Sequence, residues 1–257
     1  MWYLPQSRSE VLEILCAGLA RQEYRGYDSA GLAIDGDKPG SVEYFKEVGK
    51  VAGLRKKIAA SNLDVEKTST AQVSIAHTRW ATHGPPSERN CHPVRSDPKS
   101  EFLLVHNGIV TNSAALRQVL QKRGYKFESD TDTEAVTILT KYIFDSQEES
   151  KRLSFTELIK AVLKELEGSF AFVFKSPHFP NGIVTARRGS PLLIGVKTDQ
   201  KLKVDFVDVE FAGQDSNDNR LEARMFFPLC WFVLTWTIES SSTCSPLWSP
   251  CCSFTKP

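Results

Sequence analysis

The chain has no long apolar run, almost no net charge and only two cysteines before residue 230. Its longest apolar stretch, Met225–Trp236, falls well short of the about 20 residues that cross a bilayer as a helix. Met1–Glu10 shows no basic end followed by an apolar core, so it does not read as a secretory leader. Lys and Arg number 32 against 31 Asp and Glu, a net charge of +1, which gives no general attraction to nucleic acid or anionic membranes. These absences predict a soluble, cytoplasmic chain. Cys16 and Cys91 stand alone, while Cys230, Cys244, Cys251 and Cys252 crowd the C-terminal end. Without a leader, no disulfide framework is expected, and the adjacent Cys251-Cys252 pair lacks the gap of a zinc knuckle. Gly189–Gly195 is bounded by glycines but lacks the lysine of a phosphate loop. What is present is ordinary for a folded globular protein: 41% apolar and 25% charged residues.

Apolar spacing predicts a helix over residues 8–24, with Cys16 on its core face and Gly26 as a C-cap. Ala30–Asp35 and Val42–Val48 read as paired strands, and Val51–Ala59 as a short basic helix. A strand over Gln72–Ala76 delivers the chain to a polar loop spanning 77–96. Glu101–His106 reads as a strand ended by Asn107-Gly108, a strong turn signal. Asn112 is expected to cap a helix that Gly124 stops, and Thr131-x-x-Glu134 and Ser154-x-x-Glu157 both have the form of capping boxes. Three strands follow, Ser169–Phe174, Gly182–Ala186 and Leu192–Val196. Separate runs of helices and strands predict layered α+β rather than a doubly wound sheet.

The densest chemistry lies in His77-Thr-Arg-Trp-Ala-Thr-His-Gly84, followed by His106-Asn-Gly108. A guanidinium beside an indole on a loop suits a carboxylate ligand, so Arg79 and Trp80 read as a clamp, although a surface arginine is the plainer alternative. Asn107-Gly108 is either a hairpin turn or an oxyanion hole of one side-chain amide and one backbone N–H. Asp132 is either a helix-cap carboxylate or an acceptor for a ligand ammonium. With Arg79 it would complete the two-ended recognition of an amino acid. His77, His83, His92, His106 and Cys91 fit no compact zinc spacing, and no metal is expected. Arg187-Arg188-Gly189-Ser190 is an ordinary turn or a basophilic kinase site.

Five ordered segments carry a family likeness: RQEYRGYDSAG (21–31), AHTRWATHG (76–84), VHNGI (105–109), SDTDTE (129–134) and RGSPLLIG (188–195). Together they resemble class II glutamine amidotransferases and, more narrowly, the glutaminase domain of glutamine–fructose-6-phosphate aminotransferases, over roughly residues 7–196. The resemblance implies an N-terminal-nucleophile hydrolase-like fold, an α+β, αββα sandwich of two antiparallel sheets flanked by helices. By position it assigns the glutamine carboxylate to Arg79 and the ammonium to Asp132. Asn107 and Gly108 would form the oxyanion hole, Trp80, Thr82 and His83 would lie on the loop that closes over glutamine, and Arg25 would lie near the catalytic terminus. L-glutamine is the ligand implied, with no cofactor. Fructose 6-phosphate is expected as a partner of the intact enzyme only, and for this chain the expectation is a homo-oligomer or pairing with full-length subunits.

Two departures shape the expectations. In such enzymes the nucleophile is a cysteine exposed as the first residue, whose α-amino group is its base. This chain opens Met1-Trp2-Tyr3-Leu4-Pro5, and its first cysteine is Cys16. After about Lys203 the texture changes, and residues 204–257 read as a divergent, disordered tail with no isomerase domains. A truncated or alternatively spliced form, without glutaminase activity of its own, is the expectation.

Overall fold

A computed structural model describes residues 6–25, 27–38, 40–69, 72–81, 83–180, 182–197, 233–237 and 251–254. In chain order its elements are β1 (Gln6–Ser7), α1 (Arg8–Gln22), β2 (Ser29–Asp35), β3 (Val42–Val48), α2 (Val51–Ala59), β4 (Thr68–Ser69) and β5 (Ile75–Arg79). Then come β6 (Val94–Arg95), β7 (Leu103–Val110), α3 (Ser113–Lys122), α4 (Asp132–Asp145), α5 (Phe155–Lys164), β8 (Gly168–Lys175), β9 (Ile183–Arg188), β10 (Leu193–Lys197), β11 (Val233–Thr237) and β12 (Cys251–Phe254). One sheet runs β3-β2-β5 and a larger one β12-β9-β8-β7-β6, every pairing antiparallel. β10 lies parallel to β11, and β1 makes a short antiparallel ribbon with β4. The expected tail falls almost wholly outside the described residues, which include only the backbone of β11 and β12 from it.

Alternation along the strands sets the layers, because successive side chains leave opposite faces. Ala30, Leu32 and Ile34 of β2 pack with Leu12, Cys16 and Leu19 of α1 and with Val51, Leu54 and Ile58 of α2. Ala33 and Ile75 point the other way and meet Leu103, Val105, Ala171 and Val173 of the larger sheet. The outer face of that sheet, including Leu104, Phe170, Phe172 and Phe174, packs on Val136, Ile138, Leu158 and Ile159 of α4 and α5. The result is helices, sheet, sheet and helices. This is the αββα order that the resemblance implies.

Two charged groups are built into the inter-sheet layer. Lys175 of β8 is 1% exposed and its Nζ donates to Asp35 Oδ1 of β2, so one ion pair joins the two sheets. The other oxygen, Asp35 Oδ2, accepts the Val73 N–H at 2.8 Å. Burial pulls the Lys175 pKa down while Asp35 pulls it up. The layer is also tight at Gly31, where an added Cβ would stand 2.1 Å from the His92 carbonyl oxygen and 2.9 Å from that of Phe45.

Several elements differ from the sequence expectation. β5 runs later than the expected strand and carries His77, Thr78 and Arg79 inside it rather than on a loop. Asn107 and Gly108 form no turn: β7 continues through them to Val110, opposite Ala171 and Phe170 of β8. Thr131 stands at the N-cap of α4 without a side-chain capping bond, because Glu134 accepts instead from the Glu128 and Ser129 N–H groups and the Ser129 hydroxyl. Asn112 likewise makes no side-chain capping bond, joining the Glu165 carbonyl and Glu167 N–H instead. The box at Ser154–Glu157 does form, and a second one at Ser7–Glu10 opens α1. The Gly26 cap lies outside the described residues.

Candidate functional site

Burial alternates along β5 so that Ile75, His77 and Arg79 face inward. On β7, Asn107 shares the inter-sheet side with Leu103 and Val105. The two strands meet where His77 Nε2 lies 2.9 Å from Asn107 Oδ1. The neighbouring Gly108 has φ +127°, and an added Cβ there would fall 2.1 Å from the Ser169 carbonyl oxygen. Only glycine combines that dihedral with so close a partner strand. The exposed Gly108 and the anchored Asn107 amide are thereby set side by side.

Asp132 opens α4 and is 6% exposed. Its Oδ2 accepts the Val110 N–H at 2.9 Å, which fixes the carboxylate against the end of β7. Oδ1 lies 3.4 Å from the Thr133 hydroxyl and 3.9 Å from His106 Nδ1. Thr133 Oγ1 in turn reaches His106 Nδ1 at 2.9 Å and His92 Nε2 at 3.3 Å. The His106 backbone N–H donates to His92 Nδ1 at 3.2 Å. The His92 ring stacks on that of His77 with centroids 4.5 Å apart. One continuous polar network thus links Asp132, Asn107 and the strand that ends in Arg79.

Arg79 is 4% exposed. Its guanidinium sits 3.4 Å from Asp28 Oδ1 and donates to the carbonyls of His83 and Gly84, the latter at 2.9 Å. The loop that follows β5 is thereby folded back onto it. At the far end of this loop the Asn90 amide donates to the Pro85 carbonyl, and Arg89 pairs with Asp130. Trp80 is 65% exposed at the rim, and His83 is also exposed. Thr82 lies outside the described residues, and of Arg25 only the backbone is described. Asp28, His92 and Thr133 are site residues that motif reading missed. Asp28 stands just past the expected Gly26 cap, and Thr133 lies inside the expected Thr131–Glu134 capping box.

Burial dominates the electrostatics of the three inner histidines. It pulls His77 and His106 down to about 4 and His92 well below its usual range. All three are therefore neutral near pH 7. Among the described residues no three of His, Cys, Asp and Glu are grouped to hold a metal ion. Cys16 and Cys91 are both buried, and burial pushes both thiols up.

The lowered pKa values have a thermodynamic consequence. An unfolded histidine takes a proton near pH 6.5, whereas the native His77 and His106 resist protonation until about 4. Below pH 6.5 the unfolded chain binds more protons, so stability is whole above that pH and falls progressively towards 4. At pH 5 the loss is about 2 kcal/mol for each of these histidines. Urea unfolding at pH 7, 6 and 5 should show the midpoint dropping steeply. A midpoint unchanged to pH 5 would contradict neutral burial.

The comparisons with known proteins agree with this geometry. Residues 77–202 match the family described as a glutamine amidotransferase domain. The glutamine–fructose-6-phosphate aminotransferase of Saccharomyces cerevisiae is 50% identical over 87% of this chain and 31% of its own length. The human type 2 protein of that name is 47% identical over 80% of this chain and 31% of its own length. A shorter putative aminotransferase of the same name, from S. cerevisiae, is 43% identical over 86% of this chain and 85% of its own length. This chain therefore spans about a third of the longer relatives and most of the shorter one. Among solved structures, the glutamine phosphoribosylpyrophosphate amidotransferase of B. subtilis shares the fold. Its TM-score is 0.53 at 24% identity, covering 72% of this chain and 36% of that one. The observed layers are those of the N-terminal-nucleophile amidotransferases, as the motifs implied. By its motifs, its fold and its relatives, the chain belongs to the class II glutamine amidotransferase family, within the group of glutamine–fructose-6-phosphate aminotransferases.

Proposed function

We propose that this chain is a glutamine-holding domain that binds L-glutamine between Arg79 and Asp132. The observation that carries the reading is the Asp132 carboxylate. It is buried, and among the described residues its only ion-pair contact is with His106 at 3.9 Å, a ring that stays neutral near pH 7. A buried carboxylate is costly without a positive partner, and a ligand ammonium supplies one. The remaining donors of Arg79 take the α-carboxylate, a planar pairing suited to guanidinium. The side-chain amide oxygen of glutamine then lies before Asn107 and the Gly108 N–H.

In catalysis by this family's chemistry, a thiolate attacks the amide carbon, and charge moves onto that oxygen. Asn107 Nδ2 and the Gly108 N–H hold the oxyanion, each such donor contributing about 10²–10³ in rate. The resemblance places that thiolate on an exposed first-residue cysteine. Cys16 and Cys91 are buried within the chain with raised thiols, so neither is placed to supply it. We therefore assign glutamine binding to the described residues and give neither of these two thiols the nucleophile's role. Transfer of ammonia to fructose 6-phosphate is assigned to the part of the longer relatives that this chain does not match. The cytoplasm is the compartment we assign, and no helix among the described residues is long and apolar enough to cross a membrane.

Calorimetry with L-glutamine tests the reading, alongside an assay for released ammonia. Saturable heat should appear, and Arg79→Ala should weaken binding at least tenfold, the scale of a lost charged hydrogen bond. A flat titration of the parent chain would overturn the binding site. Ammonia release that Cys16→Ser or Cys91→Ser abolishes would overturn the exclusion of those two thiols.

A further inference from the structure

We infer that His77 is a positioning residue: its Nε2–H holds the Asn107 amide oxygen, turning the amide nitrogen towards the ligand. The inference rests on the reading of Asn107 as an oxyanion donor given above. An asparagine amide is symmetric in shape but not in function, since its oxygen only accepts and its nitrogen only donates. Turned the wrong way, Asn107 would present an oxygen to the developing oxyanion and repel it. The partner at 2.9 Å therefore decides whether the hole works.

Several features of the structure make His77 that partner. It lies on β5 of the smaller sheet and Asn107 on β7 of the larger one, so the contact crosses the sandwich. The ring is 6% exposed and stacks on His92, with centroids 4.5 Å apart and planes at 30°. His92 is itself held by the His106 backbone N–H and lies within reach of the Thr133 hydroxyl. A neutral imidazole carries one N–H, and which nitrogen bears it is set by the hydrogen bonds around the ring. The tautomer of His77 and the orientation of Asn107 are therefore one choice, not two. With the proton on Nε2, the amide oxygen accepts and its nitrogen is left to donate. With the proton on Nδ1, Nε2 becomes the acceptor and the amide must reverse.

The tautomer is directly observable. Long-range ¹H–¹⁵N spectra of the labelled full chain at pH 7 should show His77 with a protonated Nε2 and a bare Nδ1. An Nδ1–H tautomer would overturn the inference, whether or not glutamine binds. A second measurement reads the consequence, using L-glutamate, whose side-chain carboxylate places an oxygen where the oxyanion forms. His77→Leu should weaken L-glutamate binding about tenfold, the loss of one charge-assisted hydrogen bond. His77→Gln, which keeps an N–H donor, should restore most of the affinity. Equal affinity in parent and His77→Leu would also overturn the inference. If the leucine variant does not fold, the tautomer of the parent chain decides alone. If neither glutamine nor glutamate binds the parent, the proposed function fails while the tautomer still tests the His77 contact.

Discussion

Replacing Asp35 with alanine should cost about 3–5 kcal/mol of folding stability, among the largest effects of any single change in this chain. The reason is the position of its partner. Lys175 is 1% exposed within the inter-sheet layer, and Asp35 is the carboxylate paired with its ammonium. Removing the carboxylate strands a charge where water cannot reach it. The Val73 N–H that Asp35 Oδ2 accepts would lose its partner as well. Chemical denaturation of Asp35→Ala should therefore show a much lower midpoint. The double variant Asp35→Leu, Lys175→Met should recover most of the loss, because an apolar pair can replace a buried ion pair at little cost. If the single and double variants prove equally unstable, the penalty lies in packing rather than in the stranded charge.

Gly31→Ala should be comparably severe, at about 3 kcal/mol or more, the upper end for overpacking a core. Its Cβ would land 2.1 Å from the His92 carbonyl oxygen, and neither backbone can move freely. Gly31 is fixed between its register partners Lys46 on β3 and His77 on β5. His92 is fixed by its stack on His77 and by the hydrogen bond from His106. The strain would thus be carried into the polar network that joins Asn107 to Asp132. A melting temperature close to that of the parent, with unshifted His92 ring signals, would contradict this tight fit.

Local patterning made most of the framework legible. β3 and α2 appear at the residues that their periodicity predicts, and β2, β8, β9 and β10 lie within a residue or two of expectation. Cys16 is in the core, as its helical position implied. The errors arise where distant contacts override local signals. Asn-Gly is a strong turn dipeptide, yet β8 pairs with β7 across it and straightens the chain. Thr131-x-x-Glu134 has the form of a capping box, but Glu134 is recruited by the backbone of residues 128 and 129. The site shows the same division. Arg79, Asn107, Gly108 and Asp132 each had an ordinary reading as well, and they stood out because they lie in the ordered segments that carry the family likeness. Asp28, His92 and Thr133 did not, because their roles rest on partners between 14 and 51 residues away along the chain. The Asp35–Lys175 pair, separated by 140 residues, left no sequence signal at all.

The central claim is that two ends of one amino acid are held by two particular residues. Its most direct test truncates the ligand and the protein together. L-glutamine, 4-aminobutanamide (without the carboxylate) and glutaramic acid (without the amine) would each be titrated into the parent chain, Arg79→Ala and Asp132→Asn. Asp132→Asn should weaken glutamine about tenfold to a hundredfold, the range for a hydrogen bond to a charged group, and leave glutaramic acid unchanged. Arg79→Ala should weaken glutamine and glutaramic acid but leave 4-aminobutanamide unchanged. Losses that do not depend on which ligand is used, or a parent chain that binds none of the three, would contradict the account.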